Sequence, residues 1–299
     1  MFDFTGKRLW FFILSAAIIV VGVIFLVAAG SPLGIDFTGG VMMTVKFEEP
    51  VTHETLESTF ADLGHDEAIV QETGEENTFL IRTKELGDEE RSEVIDELEK
   101  LGMTSQPSLD YVSDPVAEEK VRGAAIAVAI AAIGILLYIS YAFRKLPNPF
   151  RYGTCAIIAL VHDVLIAVAV FAIVGQYFNL EINLMFVTGL LTVIGYSVND
   201  TIVVFDRIRE NLGKDTRQGF VSVVNTSLME TLSRSFNTSL TTLVVLIAIY
   251  LFVGAAINSF VFVLIVGLIS GTYSSIFIAS QALVVWQTRK LGKLSGQES

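Results

Sequence analysis

The chain carries six apolar runs, each close to the length of about 20 residues that a helix needs to cross the hydrocarbon core of a bilayer. They cover residues 10–29, 123–142, 153–174, 183–205, 237–253 and 259–286. The first run is longer than the apolar part of a signal peptide, which has about 7–15 residues, so we expect it to remain as an anchor. The sequence therefore predicts a polytopic α-helical membrane protein with six transmembrane helices.

Charged residues indicate how these helices are oriented. Residues 31–120 contain 23 Asp and Glu against six Lys and Arg. Basic residues cluster instead at the N-terminus, in the loops around 144–151 and 207–217, and at 289–293. Because cytoplasmic loops are enriched in Lys and Arg, we expect both termini in the cytoplasm and residues 31–120 outside. The basic residues are too few and too scattered to predict a nucleic-acid partner.

The segment between the first two apolar runs predicts a small folded domain. Its alternating and helical patterns give strands near 41–47, 66–73, 77–84 and 108–113, with helices at 52–64 and 87–102. The order βαββαβ is typical of a ferredoxin-like α+β fold with both helices on one face of the sheet. His53 and His65 lie beside acidic residues, but their spacing is not that of a metal site.

These patterns divide the chain into four parts. Residues 1–30 form the N-terminus and transmembrane helix 1, and residues 31–120 form the extracytoplasmic ferredoxin-like domain. Residues 121–288 contain transmembrane helices 2–6, and residues 289–299 form a cytoplasmic tail.

Ionisable residues inside the fourth and fifth apolar runs are the strongest functional signal. Asp200 lies within the fourth run, and Arg234 lies at the inner end of the fifth. A carboxylate at this depth costs about 2.5–3.5 kcal/mol on insertion scales and usually marks an ion pathway or a proton relay. Burial favours the neutral carboxyl group and a nearby guanidinium favours the ionised form, so relative movement of the two would bind and release a proton. The alternative is a static ion pair that fixes helix packing.

Further polar residues surround this pair along both runs. A helix places Tyr196 and Asn199 on the same face as Asp200. Hydroxyl and amide side chains follow Arg234 in the fifth run, and together they predict a hydrated or hydrogen-bonded crevice between the two helices. The residues that we expect to support the pair are Tyr196, Asn199, Asn237, Thr238 and Thr241.

Two other pairs stand out in the membrane half. His162 and Asp163 lie about midway along the third run, where a proton relay and a structural hydrogen bond are both open interpretations. Gly267 and Gly271 are four residues apart in the sixth run. Small residues at this spacing let two helices approach closely, so we expect them at a helix–helix contact.

Several motifs resemble those of the SecD/SecF family of protein-export subunits, in its SecF-type members, within the resistance-nodulation-division (RND) superfamily. The resemblance covers all six runs and implies one RND-like half that pairs with SecD into a twelve-helix unit. It implies location in the cytoplasmic membrane, work with the SecYEG channel, and use of proton entry to help pull unfolded polypeptide across. By the same resemblance, Asp200 carries the proton and Arg234 is its partner. The motifs are GIDFTGG (34–40), VHDVLIA (161–167), VIGYSVNDTIVVFDRIREN (193–211), RSFNTSLTTL (234–243) and GTYSSIFIA (271–279).

The sequence gives no sign of an enzyme or of a bound cofactor. It contains neither a phosphate-binding Gly-x-x-x-x-Gly-Lys-Ser/Thr loop nor a catalytic serine or cysteine motif. The transported ion is expected to be H⁺, with Na⁺ also open. Two alternative functions remain at this point: a homo-oligomeric RND-type efflux transporter for small molecules, and a structural translocase subunit without ion passage.

Overall fold

The structure, a computed structural model, describes residues 3–289 except 31, 74, 179, 215–218 and 253–256. Residues 290–299 of the expected cytoplasmic tail therefore lie outside the described part. The chain divides into two compact units. A larger unit contains Met1–Pro32, Ile126–Gln176 and Met185–Ser299, and a smaller unit contains Leu33–Ala125 and Tyr177–Leu184.

Helices dominate the chain, and four strands form one sheet in the smaller unit. A π-helical turn, Ser275–Ala279, makes the last long helix continuous from α9 to α10. In chain order the elements are α1 (Arg8–Ala29), α2 (Ile35–Thr38), β1 (Gly40–Lys46), α3 (His53–Asp62), β2 (Ile69–Glu72), β3 (Thr78–Thr83), α4 (Asp88–Lys100), β4 (Ser108–Val112), α5 (Asp114–Ala142), α6 (Pro149–Phe178), α7 (Leu184–Lys214), α8 (Phe220–Phe252), α9 (Asn258–Ser274) and α10 (Ser280–Thr288).

Six helices of the described chain are long and apolar enough to cross a membrane, which confirms the predicted number of spans. They are α1, α5, α6, α7, α8 and the continuous helix formed by α9 and α10. Helices α5 and α8 begin at Asp114 and Phe220, well before the apolar runs at 123 and 237. Hydropathy detects only the part of a helix that lies in hydrocarbon, so it misses these polar first turns.

The sheet of the smaller unit is antiparallel throughout, with the strand order β2-β3-β1-β4. Alternate residues of β1 are buried, as expected when one face of a strand covers a core. Met43 and Val45 of β1 share one buried apolar cluster with Phe60 of α3 and Leu98 of α4. Both helices therefore cover the same face of the sheet.

Gly39 and Gly40 connect the single turn of α2 to β1. Both have positive φ angles, +72° and +109°, which side chains larger than hydrogen rarely adopt. A Cβ atom on Gly40 would lie 2.3 Å from the carbonyl oxygen of Thr83, and one on Gly39 would lie 2.2 Å from Asp114 Oδ1. The two glycines therefore allow both the sharp turn and the close approach of β3.

An ion pair holds the segment 177–184 to the sheet. Arg82 of β3 pairs with Glu181, and the two side chains are only 13% and 12% exposed. A second guanidinium nitrogen of Arg82 donates to the carbonyl oxygen of Leu33 at 2.9 Å. Burial lowers the pKa of Arg82 by desolvation. The pairing explains why a segment far along the chain belongs to this unit.

We expect Arg82→Ala to lower the free energy of unfolding of the smaller unit by about 3 kcal/mol, because it removes the cation that compensates the buried Glu181 carboxylate. The double variant Arg82→Ala/Glu181→Ala should lose less, since it removes both charges. Hydrogen exchange of the β3 amides in the full chain would measure both changes. A double variant no more stable than Arg82→Ala alone would contradict this account.

Candidate ion-coupling site

Asp200 lies in the middle of α7, where that helix packs against α8. Its Oδ1 atom accepts a hydrogen bond of 2.6 Å from the Ser235 hydroxyl of α8. Its Oδ2 atom is buried and has no hydrogen-bond partner among the described residues. A buried carboxyl oxygen without a donor is costly, and a functional role is one explanation for such a group.

Arg234 precedes Ser235 on α8, and its side chain is exposed. It forms no ion pair within 4.0 Å of Asp200, and both residues are described. Arg234 is instead the neighbour of Ser235, which donates to Asp200. Arg234 also lines a polar cleft of about 460 Å³ together with Ile202, Val203, Asp206, Arg207, Glu210, Glu230 and Thr231. The cleft thus connects the arginine to the charged ends of α7 and α8.

The supporting residues expected from the sequence do not all meet at Asp200. The Tyr196 hydroxyl lies 3.3 Å from Ser239 Oγ of α8, which in turn lies 2.5 Å from Thr272 Oγ1 of α9. Thr238 and Thr241 instead donate to carbonyl oxygens of their own helix, both at 2.9 Å. The side chains of Asn199, Asn237, Thr238 and Thr241 are exposed in the single chain.

His162 and Asp163 of α6 form a second polar site inside the bundle. His162 Nδ1 lies 3.1 Å from Asp163 Oδ1, and the Asp163 side chain is 1% exposed. Three serine hydroxyls donate to this carboxylate: Ser197 of α7 at 2.7 Å, Ser270 of α9 at 2.6 Å and Ser274 of α9 at 2.8 Å. This centre connects three transmembrane helices.

The sequence analysis did not identify these three serines. Ser270 and Ser274 are four residues apart and therefore on one face of α9, a spacing that could have indicated a shared partner. Another hydroxyl pair continues the polar contact, because Thr201 Oγ1 of α7 lies 2.8 Å from Ser275 Oγ at the start of the π-helical turn.

The two glycines of α9 lie directly against α7. A Cβ atom on Gly267 would lie 2.3 Å from a methyl group of Val193, and one on Gly271 would lie 2.8 Å from Ser197 Cβ. Ser197 is also a donor to Asp163. The close contact of α7 and α9 at Gly271 therefore borders the buried carboxylate.

Six helices that are long and apolar enough to span a membrane define a multi-pass membrane protein. An aspartate buried among such helices, as Asp163 is, usually marks a functional site. Two family models match the chain: "Protein export membrane protein SecD/SecF, C-terminal" at residues 93–289, and "SecD/SecF GG Motif" at residues 24–51. The chain belongs to the SecD/SecF family.

Similar proteins agree with this assignment. The chain is 45% identical to "Protein translocase subunit SecF" of Thermobaculum terrenum, covering 97% of this chain and 95% of that protein. It is 42% identical to the protein of the same name from Anaerolinea thermophila, covering 96% and 95%.

Longer relatives contain a region similar to this whole chain. "Protein translocase subunit SecDF" of Bacillus subtilis is 38% identical over 99% of this chain and 39% of its own length. The crystal structure of SecDF, a translocon-associated membrane protein from Thermus, has a TM-score of 0.84 at 32% identity, covering 96% of this chain and 39% of that one. The chain thus spans about two fifths of these SecDF proteins.

Proposed function

We propose that the chain is an accessory subunit of the Sec protein-export translocase that, with SecD, uses the proton motive force to promote late steps of polypeptide translocation. One observation carries the ion-coupling part of this proposal. Among the described residues, the half-buried Asp200 carboxyl group has one hydrogen-bond donor, the Ser235 hydroxyl, and Arg234 is the neighbour of that serine on α8. The names of the similar proteins support the translocase part.

Asp200 is the proton-binding group, and Ser235 and Arg234 set its charge. The Ser235 hydroxyl donates to Oδ1, which leaves Oδ2 as the atom where a proton binds. When Arg234 approaches from the polar cleft, it stabilises the carboxylate and promotes proton release; when it withdraws, the neutral acid is favoured. One proton that crosses a potential of 100 mV makes about 2.3 kcal/mol available. Tyr196, Ser239 and Thr272 would transmit the resulting movement of α7 to α8 and α9.

We also propose that the smaller unit is a ferredoxin-like domain that lies outside the cytoplasmic membrane. The βαββαβ order and the strand order β2-β3-β1-β4 support the fold. Its acidic composition and the basic loops elsewhere support this orientation, with both termini cytoplasmic. In this proposal residues 31–120 form the outer domain, 121–288 hold helices 2–6, and 289–299 form the inner tail.

SecD is the partner that fits the structure best. Helix α8 exposes large apolar side chains beside Arg234, among them Phe236, Leu240 and Val244. A homologous six-span protein would cover this face and enclose the Asp200 site. The relatives named SecDF, of which this chain matches 39%, support such a pairing. The SecYEG channel and the unfolded polypeptide are further partners in this proposal.

The test is export into vesicles by the purified complex, with and without a proton gradient and with equal supply of ATP. We expect the gradient to stimulate export by the wild type. In Arg234→Gln, the gradient-stimulated part of export should be at least tenfold smaller. Arg234→Lys keeps a cation and should keep part of it, although lysine lacks the planar guanidinium. Equal stimulation in all three proteins would contradict the coupling role. Purification as a homodimer without SecD would favour an efflux transporter instead.

A further inference from the structure

The His162–Asp163 pair, called the dyad below, is a buried site to which no lysine or arginine of the described residues donates. Every hydrogen bond and ion pair that the structure gives to the Asp163 carboxylate comes from His162 or from a serine. From α1 the dyad meets Ser15, and from α7 it meets Ser197. From α9 it meets Ser270, Ser274 and Tyr273, whose ring stacks on His162 with centroids 6.0 Å apart. Within the described chain, Tyr273 is thus the one other titratable side chain that contacts it.

Charge balance in this environment implies a bound proton. With the imidazole neutral, the dyad carries one negative charge at a depth where an uncompensated charge is costly. With one more proton, on either His162 or Asp163, the dyad is electrically neutral overall. The three serine hydroxyls stabilise the carboxylate in the state without that proton. The same side chains therefore accommodate both charge states of the dyad.

The hydrogen bonds on the α1 side fit both states. His162 Nε2 lies 2.9 Å from Ser15 Oγ, which also lies 3.5 Å from the Tyr273 hydroxyl. Ser15 has one hydroxyl hydrogen, so it donates to neutral Nε2 or, when Nε2 is protonated, accepts from it and donates to Tyr273. The Tyr273 hydroxyl in turn donates to the Phe11 carbonyl oxygen at 2.9 Å. The same contacts therefore accommodate the dyad with and without the extra proton, and no helix has to move.

An apolar cavity borders the dyad on the side of α1, and His162 and Ser15 belong to its lining. The cavity has a volume of about 300 Å³, and its other walls include Leu14, Ile18 and Ile269. Because such walls hold water poorly, the Ser15 hydroxyl is the polar contact of His162 on this side.

We propose that the dyad of His162 and Asp163 is a second proton-binding site, separate from Asp200, which binds and releases one proton. The dyad acts on the Asp200 site through α7, because Ser197 bonds Asp163 and lies three residues before Asp200. This action on export rests on the proposed function, whereas proton binding by the dyad does not.

Magnetic resonance of histidine nitrogens in the full chain in lipid vesicles tests the binding directly. The chain has three histidines, and all of them are labelled with ¹⁵N. Subtracting the spectrum of His162→Gln from that of the wild type leaves the signals of His162. Spectra are recorded between about pH 5 and 8, where imidazoles usually change charge, and we expect the His162 signals to change with pH. At the pH where half of the wild-type signal is that of the imidazolium, Asp163→Asn should reduce the imidazolium signal at least tenfold. A proton on Asp163 would appear instead as an infrared band of a neutral carboxyl group that is lost in Asp163→Asn, and it supports the proposal equally.

Two outcomes would overturn the inference: neither signal appears at any pH, or His162 stays an imidazolium over the whole range.

Export by the complex with SecD supplies the second readout. His162→Gln should change the pH profile of gradient-stimulated export, while His65→Gln, in the smaller unit, should not. If Asp200→Asn keeps the wild-type response to the gradient, the proposed function fails and the resonance result still decides on the dyad. If Asp200→Asn loses the response and the dyad does not titrate, only the present inference fails.

Discussion

Asp200→Asn is expected to abolish gradient-stimulated export and to leave the complex with SecD assembled. Asparagine has the shape of aspartate and its carbonyl oxygen still accepts from Ser235, so the contact of α7 with α8 is retained. It cannot bind or release a proton at Oδ2, the buried oxygen without a donor. We therefore expect the increase in export caused by the gradient to be at least tenfold smaller for the variant complex than for the wild type, in vesicles with equal ATP.

Asp62→Asn is the matched control for this experiment. Asp62 is the last residue of α3 in the smaller unit, it is exposed, and it does not line the cleft of Arg234. Removing an exposed carboxylate of this kind changes stability by at most about 1 kcal/mol, so the control should respond to the gradient as the wild type does. Loss of SecD from the Asp200→Asn complex would show that the carboxyl group is structural. A wild-type response by that variant would place the effect of the gradient elsewhere.

The six spans could be predicted because hydropathy over about 20 residues reflects the bilayer itself and needs no knowledge of the fold. The strands and helices of the smaller unit were likewise visible as alternating and helical patterns. The attachment of residues 177–184 to that unit was not visible. It depends on Arg82 and Glu181, which lie 99 residues apart, and one ion pair at that distance leaves no local pattern.

The candidate site was predicted in part. The positions of Asp200 in the fourth apolar run and of Arg234 at the inner end of the fifth indicated a similar depth in the membrane. Depth does not determine which side chain of α8 faces α7. Arg234 and its neighbour Ser235 point about 100° apart around the helix, and the structure places Ser235 on Asp200. The same limitation hid the serine donors of Asp163, since serine is common at many helix contacts in membranes.

Gly271→Leu is expected to disrupt helix packing within this chain, whether or not it also weakens the binding of SecD. Even a Cβ atom on residue 271 would lie 2.8 Å from Ser197 Cβ and 3.1 Å from its hydroxyl oxygen, so a leucine must move α7 away from α9. That movement breaks the hydrogen bond of 2.7 Å from Ser197 to Asp163 and leaves a buried carboxylate with fewer donors. Overpacking of this kind costs about 3 kcal/mol before the lost hydrogen bond is counted.

Thermal unfolding of the purified chain, followed by its helical circular dichroism, would measure this change. Gly134→Leu is the matched control, because a Cβ atom on Gly134 of α5 would meet nothing within 4 Å in the same chain. We expect a clear fall in the unfolding temperature for Gly271→Leu and little change for Gly134→Leu. Equal unfolding temperatures would show that α7 and α9 tolerate separation at this point. In that case the Asp163 carboxylate keeps its other donors without Ser197, and the proposed route from the dyad to Asp200 through α7 loses its basis.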